Sequence, residues 1–179
     1  FSALRIIVGL NQRNPQIHDP YRINIHTGER TLLAENPGNI ASWMTDHEGA
    51  LRVATTTDGV NTSLLYRDSE DEEFRVLLTT NFKISVSPLF FTFDNKQLYV
   101  ASNRERDKAA IYRFNVETAK EEELIFANDE VDVSALLYSR KRKVLTGVSY
   151  SRAKRENVFF DAWREGVQEK LEAQLSGYQ

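Results

Sequence analysis

Three Tyr-Arg pairs recur along this chain of 179 residues at nearly equal intervals. They are Tyr21-Arg22, Tyr66-Arg67 and Tyr112-Arg113, and they are spaced 45 and 46 residues apart. The first and third pairs open two similar segments, 21–28 and 112–119, that keep a constant offset of 91 residues. A period of this length is typical of solenoids and of β-propellers, in which each repeat is one structural unit.

A second motif keeps the same period. The segments 51–54 (LRVA), 98–101 (LYVA) and 144–147 (VLTG) begin 47 and 46 residues apart. Within each period, short runs rich in β-branched and aromatic residues alternate with turn residues such as Asp58-Gly59 and Asp94-Asn95. Four such runs in one period predict one four-stranded antiparallel propeller blade.

The second and third repeats contain all four runs, whereas the first and fourth contain three each. The predicted strands are 3–10, 21–25 and 30–35 in the first repeat; 40–45, 50–57, 62–67 and 74–79 in the second; 89–93, 97–102, 109–116 and 121–126 in the third; and 134–138, 143–150 and 156–160 in the fourth. The sequence therefore predicts an all-β fold, a partial β-propeller of about three to four blades over residues 1–160.

The period changes after Asp161. Trp163, Val167, Leu171 and Leu175 recur every four residues and Gly177 follows them, which predicts an amphipathic helix within a C-terminal segment, 161–179. We expect a sheet face or a second copy of the chain to cover its apolar stripe, because a helix of this kind is stabilised by burying that stripe.

The composition excludes several classes of function. A net charge of −3 produces no overall field that attracts nucleic acid or an anionic membrane surface. The chain contains no cysteine, which excludes disulfides, thiolate nucleophiles and cysteine-ligated metals. No apolar run has the length of about 18 residues that a membrane-spanning helix needs. The chain starts without Met inside a β-branched run, so we expect a fragment of a longer protein.

No catalytic motif is present in the sequence. None of the 8 glycines belongs to a Gly-x-Ser-x-Gly nucleophile elbow, and the glycine-rich loops that bind phosphate are absent. His18, His26 and His47 are too scattered to ligate a metal together. We therefore predict no catalytic residue, no cofactor and no metal site in this chain.

Several charged segments fall in predicted turns. The acidic segments 68–73 and 121–123 are predicted to be solvated, and the basic segment 140–143 is predicted to be an exposed hairpin turn. The segment 103–107 (NRERD) joins the second and third strands of the third blade. Because a loop this rich in charge can form ion pairs with neighbouring elements, Asn103, Arg104, Arg106 and Asp107 are candidates for interdomain or inter-blade polar contacts.

Residues 20–177 resemble the propeller of bacterial serine peptidases of the prolyl oligopeptidase family, which includes dipeptidyl and acylaminoacyl peptidases. The resemblance is carried by the segments 23–33 (INIHTGERTLL), 99–107 (YVASNRERD), 131–136 (VDVSAL) and 159–161 (FFD) ahead of the helix. The first segment is shared with TolB-like propellers, and the other three are more specific.

The resemblance implies a non-catalytic propeller that controls the access of short peptides to an α/β-hydrolase domain of the same polypeptide. That domain is absent from this chain, and the resemblance leaves a bacterial periplasmic, secreted or cytoplasmic location open. A TolB-like propeller that serves as a scaffold for protein partners is the alternative, and fold alone does not distinguish the two. Because incomplete blades leave edges and faces uncovered, we also expect self-association, with 1–10 or Phe159-Phe160 at the contact.

Overall fold

The computed structural model describes residues 4–175, and these residues form fourteen β-strands and one α-helix. All strand pairs are antiparallel, and they form four sheets in which strands follow chain order. Sheet 1 contains β1 (Arg5–Asn14), β2 (Ile17–Asn24) and β3 (Arg30–Leu32), and sheet 2 contains β4 (Ile40–Thr45), β5 (Leu51–Thr57), β6 (Asn61–Tyr66) and β7 (Arg75–Asn81). Sheet 3 contains β8 (Val86–Phe91), β9 (Leu98–Ser102), β10 (Ala110–Asn115) and β11 (Lys120–Phe126). Sheet 4 contains β12 (Val133–Ser139), β13 (Val144–Ser151) and β14 (Arg155–Phe159), and helix α1 (Ala162–Gln174) follows it.

The predicted all-β fold is confirmed, with four strands in sheets 2 and 3 and three in sheets 1 and 4. The largest difference lies in sheet 1, where β1 continues to Asn14, beyond the predicted end at Leu10. The polar segment 11–14 lacks the alternation of a strand, but it pairs back onto β2 through Asn14 and Ile17 after a β-bulge. The predicted start of this strand at Ala3 lies outside the described residues.

The repeat places its marker residues at equivalent positions of successive sheets. Tyr66 lies in the third strand of sheet 2, and Tyr112 lies in the third strand of sheet 3. Each tyrosine is the cross-strand partner of a valine in the preceding strand, and the same pairing joins Tyr21 to Val8 in sheet 1. The three tyrosines therefore occupy equivalent positions of their sheets, as expected for a structural repeat.

The chain divides into two compact units, 1–83 with sheets 1 and 2 and 84–179 with sheets 3 and 4. In the first unit, the buried side chains of sheet 2 include Leu51, Val53, Leu64 and Tyr66. In the second unit, Ala101 and Ile111 of sheet 3 form a buried apolar cluster with residues of sheet 4, among them Val133, Leu136 and Val148. Each unit therefore has an apolar core of its own.

Helix α1 forms as predicted, and its N-cap is Asp161, whose side chain accepts a hydrogen bond from the Arg164 backbone N–H. The prediction that a sheet face covers the apolar stripe is wrong for Trp163 and Leu171, which are 65% and 46% exposed. The Arg142 guanidinium covers one face of the Trp163 ring, with its carbon 4.7 Å from the ring centroid, and leaves the rest of the side chain exposed. Coverage by a second copy stays a prediction, and Gly177 lies outside the described residues.

Candidate interface at the β9–β10 loop

The loop that joins β9 to β10, residues 103–109, contains the four candidate polar residues. Asn103 exchanges two hydrogen bonds with Ser85, in the segment before β8: its backbone N–H donates to the Ser85 carbonyl at 3.2 Å, and its Oδ1 accepts from the Ser85 N–H at 2.7 Å. Arg104 forms an ion pair with Glu121 of β11 at 3.1 Å. Both residues therefore contact neighbouring segments of sheet 3.

Arg106 points toward the connection between sheets 3 and 4. Its guanidinium lies 4.0 Å from the carboxylate of Asp129, which belongs to the segment between β11 and β12. The Arg106 Nε is inaccessible to solvent and has no hydrogen-bond partner among the described residues. Asp107 contacts the following residue, Lys108, at 3.0 Å, and this hydrogen bond raises the pKa of Lys108. The interdomain role predicted for these residues stays a prediction.

A cleft of about 520 Å³ opens beside this loop, between Lys108 and the residues of sheet 4. Its lining carries both signs of charge, with Lys108 and Arg155 as cations and Glu130 and Asp132 as anions. Asp132 accepts a hydrogen bond from the Ala109 N–H at 2.7 Å, so one wall of the cleft is tied to the β9–β10 loop.

The opposite wall of the cleft is held by sheet 4. The nearly buried Ser149 accepts a hydrogen bond from the Arg155 Nε at 2.7 Å, and Glu130 forms an ion pair with Arg152 at 3.3 Å. The cleft thus presents donors and acceptors for polar groups of either charge. Its serines, Ser134, Ser149 and Ser151, have no histidine beside them among the residues that line the cleft.

Sequence reasoning found Arg106 but missed Lys108, Arg152 and the acidic residues of the cleft. For the basic residues, the signal is the repeat itself. Arg152 lies 46 residues after Arg106, and Lys154 lies 46 residues after Lys108, so the β13–β14 turn repeats the cationic pattern of the β9–β10 loop. Turns of equivalent type in successive blades lie at the same end of their sheets.

A second polar cluster joins sheets 1 and 2. Arg22 of β2 donates two hydrogen bonds to the Glu70 carboxylate at 2.8 and 2.7 Å and one to the Gly49 carbonyl at 2.8 Å. Glu70 also accepts from the Leu51 N–H at 2.7 Å. Burial alone would raise the pKa of Glu70, but the hydrogen bonds from Arg22 and Leu51 outweigh it, and the pKa of this carboxyl lies below its usual value.

Arg67, which follows Tyr66 in the repeat, is buried without a carboxylate partner among its hydrogen bonds. It donates to four backbone carbonyls, and these belong to Leu33, Leu51, Glu70 and Glu72. Its guanidinium carbon also lies 4.5 Å from the Phe74 ring centroid. Burial lowers the pKa of Arg67. Because Leu33 follows sheet 1, Arg67 is a second connection between sheets 1 and 2.

The prediction that the acidic segments are solvated is wrong for two of their residues. Glu70 is the ion-pair partner of Arg22, and Glu121 pairs with Arg104 and accepts a hydrogen bond from the buried Ser102 hydroxyl. Both carboxylates lie opposite a cation that another strand or loop supplies, and such long-range partners are not visible in a local pattern of charge. The basic segment 140–143 does form the exposed β12–β13 turn, as predicted.

Among residues 4–175 no group of three or more His, Asp or Glu side chains is arranged to hold a metal ion. Within the same residues, no helix is long and apolar enough to cross a membrane. The polar clusters described above consist of ion pairs and hydrogen bonds within the chain, between sheets and loops.

No protein-family model matches the chain. In sequence it is similar to dipeptidyl aminopeptidase BIII from Pseudoxanthomonas mexicana, with 31% identity, and the match covers 94% of this chain and 24% of the relative. The chain thus spans about a quarter of the length of this curated relative.

In structure the chain is similar to TolB from Acinetobacter baumannii, with a TM-score of 0.62 and 14% identity, over 87% of this chain and 37% of that one. At this identity the likeness concerns the fold alone, which is that of a β-propeller. The chain is therefore a partial β-propeller that is homologous to part of a dipeptidyl aminopeptidase.

Proposed function

We propose that this chain is the non-catalytic propeller portion of a serine peptidase of the prolyl oligopeptidase type, with dipeptidyl peptidase activity in the whole protein. The observation that carries the proposal is the 31% identity to a dipeptidyl aminopeptidase over 94% of the chain. Hydrolysis is assigned to an α/β-hydrolase domain elsewhere in the polypeptide, and the substrates are short peptides.

The distribution of serine and histidine supports this division of labour. The serines that line the cleft have no histidine among the other lining residues. The sequence also has no nucleophile elbow. In this proposal the serine nucleophile and its base therefore come from another part of the polypeptide.

The propeller's role in the proposal is to control access. A propeller surrounds a central channel, and an extended peptide passes through a narrower opening than a folded protein does. Widening that opening requires neighbouring sheets to separate, which in this chain means breaking the Arg22–Glu70 ion pair and the Arg67 hydrogen bonds. In this proposal, the contacts of Arg22 and Arg67 between sheets 1 and 2 keep the opening of the channel narrow.

The first test compares this chain with the whole protein on a dipeptide p-nitroanilide, a series of longer peptides and a folded protein. We expect no hydrolysis by the chain alone. The whole protein should hydrolyse the dipeptide derivative fastest and leave the folded protein intact. Absence of dipeptide release by the whole protein would overturn the peptidase assignment, and equal rates for all lengths would overturn only the control of access.

The second test weakens the contact between sheets 1 and 2 in the whole protein. Arg22→Met should raise the rate for long peptides relative to the dipeptide derivative, because the sheets separate more readily. Arg113→Met is the matched control, since Arg113 pairs with Glu123 within sheet 3 at 3.0 Å. An unchanged ratio of rates in Arg22→Met would contradict a role of this ion pair in controlling access.

A further inference from the structure

Two apolar side chains are exposed side by side at one end of sheet 2. Val60 lies in the β5–β6 turn and is 60% exposed, and Phe82 follows β7 and is 78% exposed. Asn61 and Asn81 are cross-strand partners, so the residues next to them, Val60 and Phe82, leave neighbouring strands at the same end of the sheet. We call these two residues the Val60–Phe82 patch.

Side-chain hydrogen bonds fix the two turns that carry the patch. The Asp58 Oδ1 accepts hydrogen bonds from the backbone N–H groups of Val60 at 2.9 Å and Asn61 at 2.6 Å. On the neighbouring strand, the Asn81 Oδ1 accepts a hydrogen bond from the Lys83 N–H at 3.0 Å. Because the backbone on both sides is held in place, covering the patch costs little conformational entropy.

The repeat does not require apolar residues at these two positions. Counted from the tyrosine of each repeat, the patch lies six residues before and 16 residues after it, and the same positions of sheet 3 hold Arg106 and Asn128. Both of these residues are polar, although sheet 3 has the same four strands as sheet 2. An exposed phenylalanine beside an exposed valine is therefore not a requirement of the blade, and it indicates a surface that binds another protein segment.

The position of the patch in sheet 2 indicates what covers it. The chain enters β4 at Ile40 and leaves β7 at Asn81, and both residues lie at the same end of the sheet because it has four antiparallel strands. The β5–β6 turn lies at this end as well, which we call the connecting end. In a propeller the connecting ends of all blades lie on one side of the ring, so a domain that precedes or follows four-stranded blades is joined to that side.

About three quarters of the similar dipeptidyl aminopeptidase lie outside the part that matches this chain. We propose that the Val60–Phe82 patch is a docking surface for the α/β-hydrolase domain, an inference that rests on the proposed function. Apolar side chains of that domain cover Val60 and Phe82, and Asp58 and Lys83 form a polar rim beside them. The Lys83 ammonium lies 5.9 Å from the Phe82 ring centroid, so this rim adjoins the aromatic ring directly.

Site-specific photocrosslinking in the whole protein tests the proposal. The photoreactive p-benzoylphenylalanine replaces Phe82, and mass spectrometry maps the cross-linked peptides after illumination. We expect cross-links from position 82 to the hydrolase domain. Position 76 is the matched control, because Val76 is also an exposed apolar residue of sheet 2 but pairs with Leu65, near the opposite end of the strands. The same photoreactive residue at position 76 should form no cross-link to the hydrolase domain.

A second measurement removes the apolar contact. In the whole protein, Phe82→Ser should let an added protease separate the propeller from the hydrolase domain at least about fivefold faster, since part of the contact between the domains is lost. Val76→Ser should be cleaved at the rate of the unaltered protein. Circular dichroism checks that the variants fold, and Val60→Ser replaces Phe82→Ser if that variant does not.

Two results would overturn the docking surface. One is the absence of cross-links from position 82 to the hydrolase domain, including the case in which position 82 reaches only a second copy of the protein. The other is equal cleavage of Phe82→Ser, Val76→Ser and the unaltered protein.

Hydrolysis of a dipeptide p-nitroanilide by the same preparations separates this inference from the proposed function. An active peptidase without the cross-link would contradict the docking surface alone. A protein that is cross-linked as expected but releases no dipeptide would contradict the peptidase assignment and leave the docking surface in place.

Discussion

The Arg22 guanidinium donates two hydrogen bonds to the Glu70 carboxylate, and this ion pair joins a strand of sheet 1 to the segment between β6 and β7 of sheet 2. Both side chains are mostly buried, so water does not replace the contact fully when one partner is removed. Glu70 also holds the Leu51 N–H, which connects the ion pair to the backbone of the central strand β5.

Replacing Arg22 with Met is expected to lower the free energy of unfolding by about 1.5–3 kcal/mol, because Glu70 is left partly buried without its cation. Urea denaturation followed by circular dichroism measures the change. Arg113→Met, which removes a more exposed pair within sheet 3, should cost less than about 1 kcal/mol. Equal losses of unfolding free energy for the two variants would contradict the expectation that the Arg22–Glu70 pair stabilises the protein more than the Arg113–Glu123 pair.

Stability is expected to fall on acidification because of Asp19. This buried carboxylate of β2 accepts hydrogen bonds from the Arg13 guanidinium and the Asn36 N–H, and the contact with Arg13 is the largest cause of its lowered pKa. Because the pKa of Asp19 is lower in the folded state than in the unfolded chain, this carboxylate contributes stability above the unfolded-state pKa of about 4. That contribution is lost as pH falls through the pKa of Asp19 in the folded state.

Urea midpoints measured from pH 7 to pH 3 check this expectation. Asp19→Asn should be less stable at pH 7, and its midpoint should depend less on pH below about pH 4 than that of the unaltered chain. Asp71→Asn, at an exposed position outside these contacts, is the control and should keep the original pH dependence. A steep acid transition that persists in Asp19→Asn would assign the effect to other carboxylates.

Gly147 stands where the two earlier copies of the strand motif have Ala54 and Ala101. A Cβ at this position would lie 2.3 Å from the Val158 carbonyl oxygen of the neighbouring strand, so β14 would have to shift. We expect Gly147→Ala to destabilise the protein by about 1–3 kcal/mol. Gly166→Ala, in the helix with open space around it, should stabilise by about 0.5–1 kcal/mol, and thermal unfolding of both variants measures the contrast.

The start of helix α1 depends on Asp161, which caps the Arg164 N–H and forms an ion pair with Arg142 at 2.7 Å. Asp161→Ala is expected to weaken the first turn by about 1 kcal/mol. Hydrogen exchange at the Arg164 and Glu165 amides should become faster. Arg142→Met should show a smaller effect of the same kind, and Lys141→Met should show none; protection unchanged in Asp161→Ala would contradict the role of the cap.

The sequence determined the sheets of this protein but not the partners of their polar residues. Tyr21, Tyr66 and Tyr112 occupy equivalent strands because a period of about 46 residues and the alternation within each strand are local properties. The count of predicted strands in each repeat also indicated that the first and last sheets have three strands and not four.

The arginines that follow these tyrosines show what only the tertiary structure decided. Arg22 pairs with Glu70 of the next sheet, Arg67 donates to backbone carbonyls that include Leu33 after the previous sheet, and Arg113 pairs with Glu123 of its own sheet. A strand pattern specifies the side to which a residue points, but the groups it meets there come from loops far away in sequence. For the same reason the sequence predicted an apolar stripe on α1, whereas only the structure showed that Trp163 is left exposed.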